Sequence, residues 1–189
     1  MNADLLVYQA KAFYNAYIAL DQLSRDDSDT LLLLFAPLVV NGAFSVELAL
    51  KAILAKNQIE CGKEHNLLIL FQMLPKSFQQ ELWAYLIEKA PEYAGSEKGL
   101  DELILLSNAF VDWRYAFEGK PVPAIESRFL AAFANAAVHT MFSYYNADLL
   151  PATKTESNNE IEQRFHENRE KCKEINLKMI QKKTKEHQL

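Results

Sequence analysis

The sequence contains few residues that break helices or cross-link a chain. Of its 189 residues, only 5 are glycine, 6 are proline and 2 are cysteine. Cys61 and Cys172 lie far apart and form no CxxC pair, which argues against a zinc ribbon or a disulfide scaffold. The first residues, Met1–Asp4, lack the basic start of a signal peptide. These absences predict a helical, cytoplasmic protein.

The motifs of several large enzyme classes are also missing. The sequence contains no HExxH or ExxH helix motif, no P-loop, no GxGxxG turn and no GxSxG elbow. Zinc peptidase, di-iron, nucleoside-triphosphatase, dinucleotide and serine-hydrolase chemistry therefore have no support in the sequence. We expect no metal and no organic cofactor.

The charge is distributed unevenly along the chain. Residues 1–150 carry 11 basic and 18 acidic side chains, whereas residues 151–189 carry 9 and 7. The larger part is therefore acidic and does not present the broad basic face of a general nucleic-acid binder.

One apolar run has to be distinguished from a membrane span. Leu31–Val40 is almost entirely apolar, but Asn41, Ser45, Glu47 and Lys51 interrupt the apolar residues after it. The clean run is about half of the roughly 20 residues that a spanning helix needs. We therefore predict a buried core helix and no membrane insertion.

The spacing of apolar residues predicts an all-α, up-and-down helical bundle with four to five core helices and a C-terminal amphipathic helix. Asn66 or His65 can cap the third helix, and Ser77 with Gln80 forms a capping box that would open the fourth. The predicted helices are Ala3–Leu23, Thr30–Asn57, Leu67–Leu74, Ser77–Ala90, Leu100–Glu118 and Ala124–Asp148.

The C-terminal segment differs from the rest of the chain. We predict a bundle over residues 1–148, a linker over 149–156 and a charged amphipathic helix over 157–189. The last segment has a heptad stripe with acidic residues at its start and lysines at its end, an order that complements the helix dipole. Such a helix can dock on its own bundle or pair with a second subunit or a partner helix.

Polar side chains concentrate on the predicted fifth helix. Arg114 lies between two aromatic residues, and Glu118 follows four positions later, where it can pair with the arginine. A partly desolvated arginine needs a carboxylate, and Glu47 in the most apolar helix is the expected partner. This pair is either structural or part of a phosphate or nucleotide pocket, since the planar guanidinium binds phosphate bidentately.

Further residues extend this candidate site. Asn108, Asp112 and Tyr115 share one helix face at spacings of four and three, which makes them secondary ligand-binding candidates. His65 precedes a helix start, where an anion is favoured, although a histidine in a loop or cap is the ordinary alternative. His139 lies among small residues and suits a core or interface position.

Two segments resemble the HEPN family of helical-bundle domains. Phe44–Leu54, followed by His65–Leu67 and Leu74–Pro75, resembles the family stretch S-x-E-L-x-L-K-A-x-L, H-x-L and L-P. Asn108–Glu118 is similar to its later helix with R-Y-x-x-E. The resemblance covers about residues 5–148.

The resemblance implies a bundle, usually a homodimer, from toxin–antitoxin, phage-defence or RNA-processing systems. It implies a nucleotide or RNA ligand, or a partner protein such as a nucleotidyltransferase-type antitoxin. Catalytic members are metal-independent ribonucleases in which a histidine follows an arginine after four to six residues. The histidine transfers a proton and the arginine stabilises the phosphate charge.

None of the 5 arginines in this chain is followed by a histidine at that spacing. We therefore expect a binding module for nucleotide, RNA or a partner protein in a bacterial stress or defence setting. One alternative is a divergent metal-independent ribonuclease, with His65 or His139 supplied in space. Another is a structural protein that acts through its C-terminal helix.

Overall fold

A computed structural model of the chain describes residues 3–25, 28–94, 96–115, 118, 122–145, 170 and 174. Within these residues the fold consists of α-helices and short 3₁₀ turns, without a strand, which confirms the predicted all-α class. The helices are α1 (Ala3–Ser24), α2 (Ser28–Lys56), α3 (Leu67–Met73), α4 (Lys76–Lys89), α5 (Ser96–Leu106), α6 (Ala109–Arg114) and α7 (Ser127–Tyr145).

Helix α2 forms the centre of the bundle. It packs against α1, α3, α6 and α7, and every residue from Ser45 to Leu54 is buried. Pro37 does not end the helix, which continues on both sides of it. The buried stretch includes three polar side chains, Ser45, Glu47 and Lys51, which therefore lie within the core.

The length and burial of α2 bear on whether this helix could cross a membrane. The segment Leu33–Lys56 is long and apolar enough to cross a bilayer by length and composition alone. However, 56 % of its most apolar window is buried inside the bundle, which is also the pattern of a core helix. Location in the cytoplasm remains a prediction.

Helices α3 and α4 begin differently from each other. The side chain of Asn66 accepts a hydrogen bond from the backbone N–H of Ile69 at 3.0 Å, so Asn66 caps α3 as expected. The predicted capping box at Ser77 is wrong, because α4 already starts at Lys76 after Pro75. The fixed φ of proline suits that position, and Gln79 bonds the carbonyls at the end of α3 instead.

The predicted single helix over Leu100–Glu118 is also wrong. The structure has two helices there, α5 and α6, separated at Ser107 and Asn108. The carbonyl of Ser107 accepts the N–H of Leu67 at 2.8 Å, and Oδ1 of Asn108 accepts from the side chain of Asn66 at 3.1 Å. These bonds to a distant loop offset the helical bonds that are lost at the break.

Gly99 lies inside α5 instead of preceding it. A Cβ at this position would come within 2.8 Å of the Trp83 ring, so the glycine allows α4 and α5 to approach closely. The last bundle helix begins at Ser127, three residues later than predicted, and packs against α2.

By contacts, the chain separates into one compact unit over Met1–Leu149 and a second over Leu150–Leu189. The predicted linker over 149–156 lies outside the described residues. So does the predicted C-terminal helix over 157–189, apart from Glu170 and Glu174, which are helical.

Candidate functional site

A carboxylate and an ammonium group lie buried together on α2. Glu47 is only 1 % exposed, and its Oε1 atom lies 2.7 Å from Nζ of Lys51, one helical turn later. Lys51 is itself 7 % exposed. Within the part of the chain that the structure describes, the second carboxylate oxygen, Oε2, has no hydrogen-bond partner. An ion pair this deep is stable only when both partners remain in place.

His65 joins this pair from the loop between α2 and α3. Its Nδ1 atom lies 2.9 Å from the same Oε1 of Glu47, while 48 % of its side chain is exposed. Oε1 of Glu64 accepts the backbone N–H groups of His65 and Asn66 at 2.9 and 2.8 Å. The loop is therefore held by its backbone, and the imidazole extends from a buried carboxylate toward solvent.

Arg114, at the end of α6, has different partners from the expected one. Its guanidinium lies 4.8 Å from the ring centre of Phe110 and 4.6 Å from that of Tyr115. Nη2 also donates to the Tyr115 hydroxyl at 3.0 Å. Among the described contacts, the expected pairing with Glu47 is not made, and Oε1 of Glu47 is shared by Lys51 and His65 instead. Arg114 is exposed and lies on aromatic faces.

The ring of Phe110 connects the histidine to the arginine. Its centre lies 6.3 Å from that of His65, and Arg114 covers it at 4.8 Å. The same ring stacks on Phe44 of α2 at 4.3 Å, and Phe44 in turn contacts Phe13 of α1 at 4.6 Å. A column of one buried and two half-buried aromatic rings therefore lies next to Arg114 and His65.

The remaining predicted residues surround this centre. Asn108 occupies the N-cap position of α6 without a side-chain cap bond, and its Oδ1 accepts from Asn66 instead, while Asp112 is half-buried within α6. Tyr115 ends that helix and holds Arg114. Glu118 is exposed, and its backbone N–H bonds the Tyr115 carbonyl at 2.9 Å.

Two contributors were missed by reasoning from the sequence. Lys51 follows Glu47 at the i, i+4 spacing of helical ion pairs, so its role could have been found from the sequence. Glu64 carried no signal, because a carboxylate that bonds loop amides has no spacing rule.

Other groups lie apart from this cluster. His139 of α7 stacks on Tyr85 of α4 at 3.9 Å. An open groove of about 590 Å³ between α3, α4 and α5 is lined mainly by apolar side chains, among them Phe71, Trp83 and Leu100. No three His, Cys, Asp or Glu side chains in the described ranges converge in a way that could hold a metal ion.

Comparison with known proteins gives one match. The family model of the HEPN domain matches residues 38–128, which run from the middle of α2 into the start of α7. No curated protein and no solved structure gives a significant match. The matched range contains both segments on which the resemblance was drawn. The family model and the all-α fold agree, so the resemblance to the HEPN domain family is confirmed over residues 38–128, and it supports a nucleotide- or RNA-related module in general.

Proposed function

We propose that the domain is a binding module for phosphate groups of a nucleotide or of RNA, with Arg114 as the phosphate-binding residue. The observation that carries the proposal is the setting of its guanidinium. It is exposed, and in the described part of the chain its partners are two aromatic rings and a phenol, not a carboxylate. Among these described contacts its positive charge meets no carboxylate and can meet an anion, while the rings hold its plane in place.

His65 lies beside the same ring, with its centre 6.3 Å from that of Phe110, and supports the same site. One ring nitrogen is engaged by Glu47 at 2.9 Å, and about half of the side chain is exposed. A histidine held in this way presents its second nitrogen, Nε2, to a ligand in a fixed orientation. A phosphate on Arg114 and a sugar hydroxyl on His65 fit this pair of groups. We propose Glu118 and Asn108 as polar neighbours of the bound ligand.

The net negative charge of the domain limits the number of phosphate contacts that we expect, and with it the salt dependence of binding. Since residues 1–150 carry an excess of acidic side chains, we expect only one or two phosphate contacts. For single strands each contact contributes about −0.7 to the slope of log affinity against log salt. We therefore expect a slope between about −0.7 and −1.4, whereas a general polyanion binder would give a much steeper one.

Fluorescence anisotropy with a labelled short RNA, and competition by nucleotides, would test the proposal. A charge-assisted bond to phosphate contributes about 1.5–3 kcal/mol, so Arg114→Ala should weaken binding roughly tenfold to a hundredfold. Arg128→Ala is the matched control, because it removes an exposed arginine that already pairs with Glu92 at 2.6 Å. Equal affinity for wild type and a folded Arg114→Ala variant would contradict the proposal.

A second candidate is a divergent metal-independent ribonuclease. The observation that favours it is the orientation of His65 by a buried carboxylate beside Arg114. Nε2 of such a histidine can accept the proton of a ribose 2′-hydroxyl, while the arginine stabilises the charge on the phosphate. Cleavage of labelled RNA in EDTA that is lost in His65→Gln and kept in His139→Gln would favour this candidate. Absence of cleavage by the wild type would contradict this candidate and leave the binding module as the proposed function.

The assembly of the protein is part of the proposal. By family resemblance we propose a homodimer, in a bacterial stress or defence setting, with a partner such as a nucleotidyltransferase-type antitoxin. Light scattering on the full chain and on a chain ending at Leu150 would test self-association. Loss of the dimer on truncation, together with no binding of RNA or nucleotide, would favour an interaction protein that acts through segment 157–189.

A further inference from the structure

We infer that Lys51 is a positioning residue for this site: its ammonium group compensates the buried carboxylate of Glu47 and thereby fixes which ring nitrogen of His65 carries the proton. The inference rests on the proposed function for its consequence in binding. Its structural part concerns the tautomer of one imidazole and can be tested without any ligand.

The geometry places both donors on a single atom. Nζ of Lys51 and Nδ1 of His65 lie 2.7 and 2.9 Å from Oε1 of Glu47. The side chains of Lys51 and Glu47 are 9 % and 2 % exposed, so water does not replace either partner. The ammonium is therefore the group that compensates the charge of the carboxylate, while the half-exposed imidazole shares the same oxygen.

The protonation of the carboxyl decides the state of the imidazole. An ionised carboxylate can only accept hydrogen bonds, so Nδ1 must donate and Nε2 of the neutral ring remains an acceptor. A buried carboxyl without its ammonium is desolvated and takes up a proton. It can then donate to Nδ1, which places the ring proton on Nε2. A ligand would then meet a hydrogen-bond donor at Nε2 instead of an acceptor.

The other charged groups around His65 do not take over this role. The described carboxylate nearest in sequence, that of Glu64, accepts the backbone N–H of His65, not its ring. Arg114 approaches the imidazole only through the shared ring of Phe110. Among the contacts of the ring that the structure describes, the link through Glu47 to Lys51 is the one that specifies a tautomer.

The ¹⁵N NMR spectrum of the histidine rings in the full chain tests the inference. His65→Gln identifies the signals of interest, and the unprotonated nitrogen of a neutral ring resonates well downfield of the protonated one. We expect Nδ1–H in the wild type and in Lys51→Arg, and Nε2–H in Lys51→Met. The Nε2–H form in the wild type, which needs no variant, would overturn the inference even if Lys51→Met did not fold. An unchanged tautomer in a folded Lys51→Met protein would overturn it as well.

Binding provides a separate readout with the same proteins. With a short fluorescein-labelled RNA, we expect Lys51→Met to weaken binding about tenfold, and Lys51→Arg to stay within about threefold of wild type. A merely structural lysine would leave the affinity of the folded variant unchanged, and that result would overturn its positioning role. If Arg114→Ala binds as tightly as the wild type, the proposed function fails, while the NMR result still decides what Lys51 does to His65.

Discussion

The substitution Lys51→Met removes the ammonium group from the buried pair and keeps most of the aliphatic chain. Glu47 would then remain 1 % exposed, with Nδ1 of His65 as its remaining hydrogen-bond partner within the described structure. Since the change keeps the volume of the side chain nearly constant, a cavity contributes little to the expected loss of stability. The loss of stability therefore reports the free-energy cost of a buried carboxylate that has lost its counter-charge.

Breaking a buried ion pair from one side costs about 3–5 kcal/mol. Glu47 keeps its hydrogen bond with Nδ1 of His65, and the carboxyl can take up a proton, so we expect the lower end, about 3 kcal/mol. A domain of this size has a free energy of unfolding of about 5–15 kcal/mol, so the variant should fold but unfold at a clearly lower urea concentration. The double variant Glu47→Leu/Lys51→Met removes both charges and should regain most of the loss.

Urea unfolding followed by far-ultraviolet circular dichroism measures these differences. Lys89→Met is the matched control, because Lys89 pairs with Glu88 at 2.7 Å on the surface, and its midpoint should stay near that of the wild type. If Lys51→Met and Lys89→Met unfold at the same urea concentration, Lys51 does not compensate a buried charge and the reasoning is refuted. A double variant less stable than Lys51→Met would refute it too.

Three further predictions concern packing and pH. Gly99→Ala should destabilise the domain by about 1–3 kcal/mol, since the added methyl meets Trp83. Thermal unfolding followed by tryptophan fluorescence would detect both the lower stability and the displaced Trp83 ring. Phe110→Leu should weaken RNA binding about threefold to tenfold in anisotropy titrations by removing the ring beneath the guanidinium; unchanged binding would speak against the cation–π contact. Burial raises the pKa of Tyr145 to about 12, so the unfolded chain loses this proton first and stability should fall from about pH 10 to pH 12. Tyr145→Phe gives up the hydrogen bond to the Ala52 carbonyl but should show a shallower fall in urea titrations over that range, and an equal slope would contradict the assignment.

Patterns of residues that lie close together in sequence were sufficient to predict much of the fold. The helical spacing of α1, the apolar run of α2 and the cap at Asn66 each depend on residues within one or two helical turns, so the sequence alone predicted them. The same holds for the resemblance to HEPN domains, whose segments lie inside the matched range of residues 38–128. Composition also identified the acidic character of the bundle.

The site depended on contacts that no local pattern encodes. The sequence named Glu47, His65 and Arg114, but it paired Glu47 with Arg114, whereas the fold pairs it with Lys51 and a histidine 18 positions later. The break at Ser107 likewise follows from a hydrogen bond to Leu67, forty residues earlier in the chain. A helical spacing specifies which side chains share a face of one helix. Which partner a buried charge meets is decided only when loops and helices distant in sequence pack together, since that packing sets the distances between their atoms.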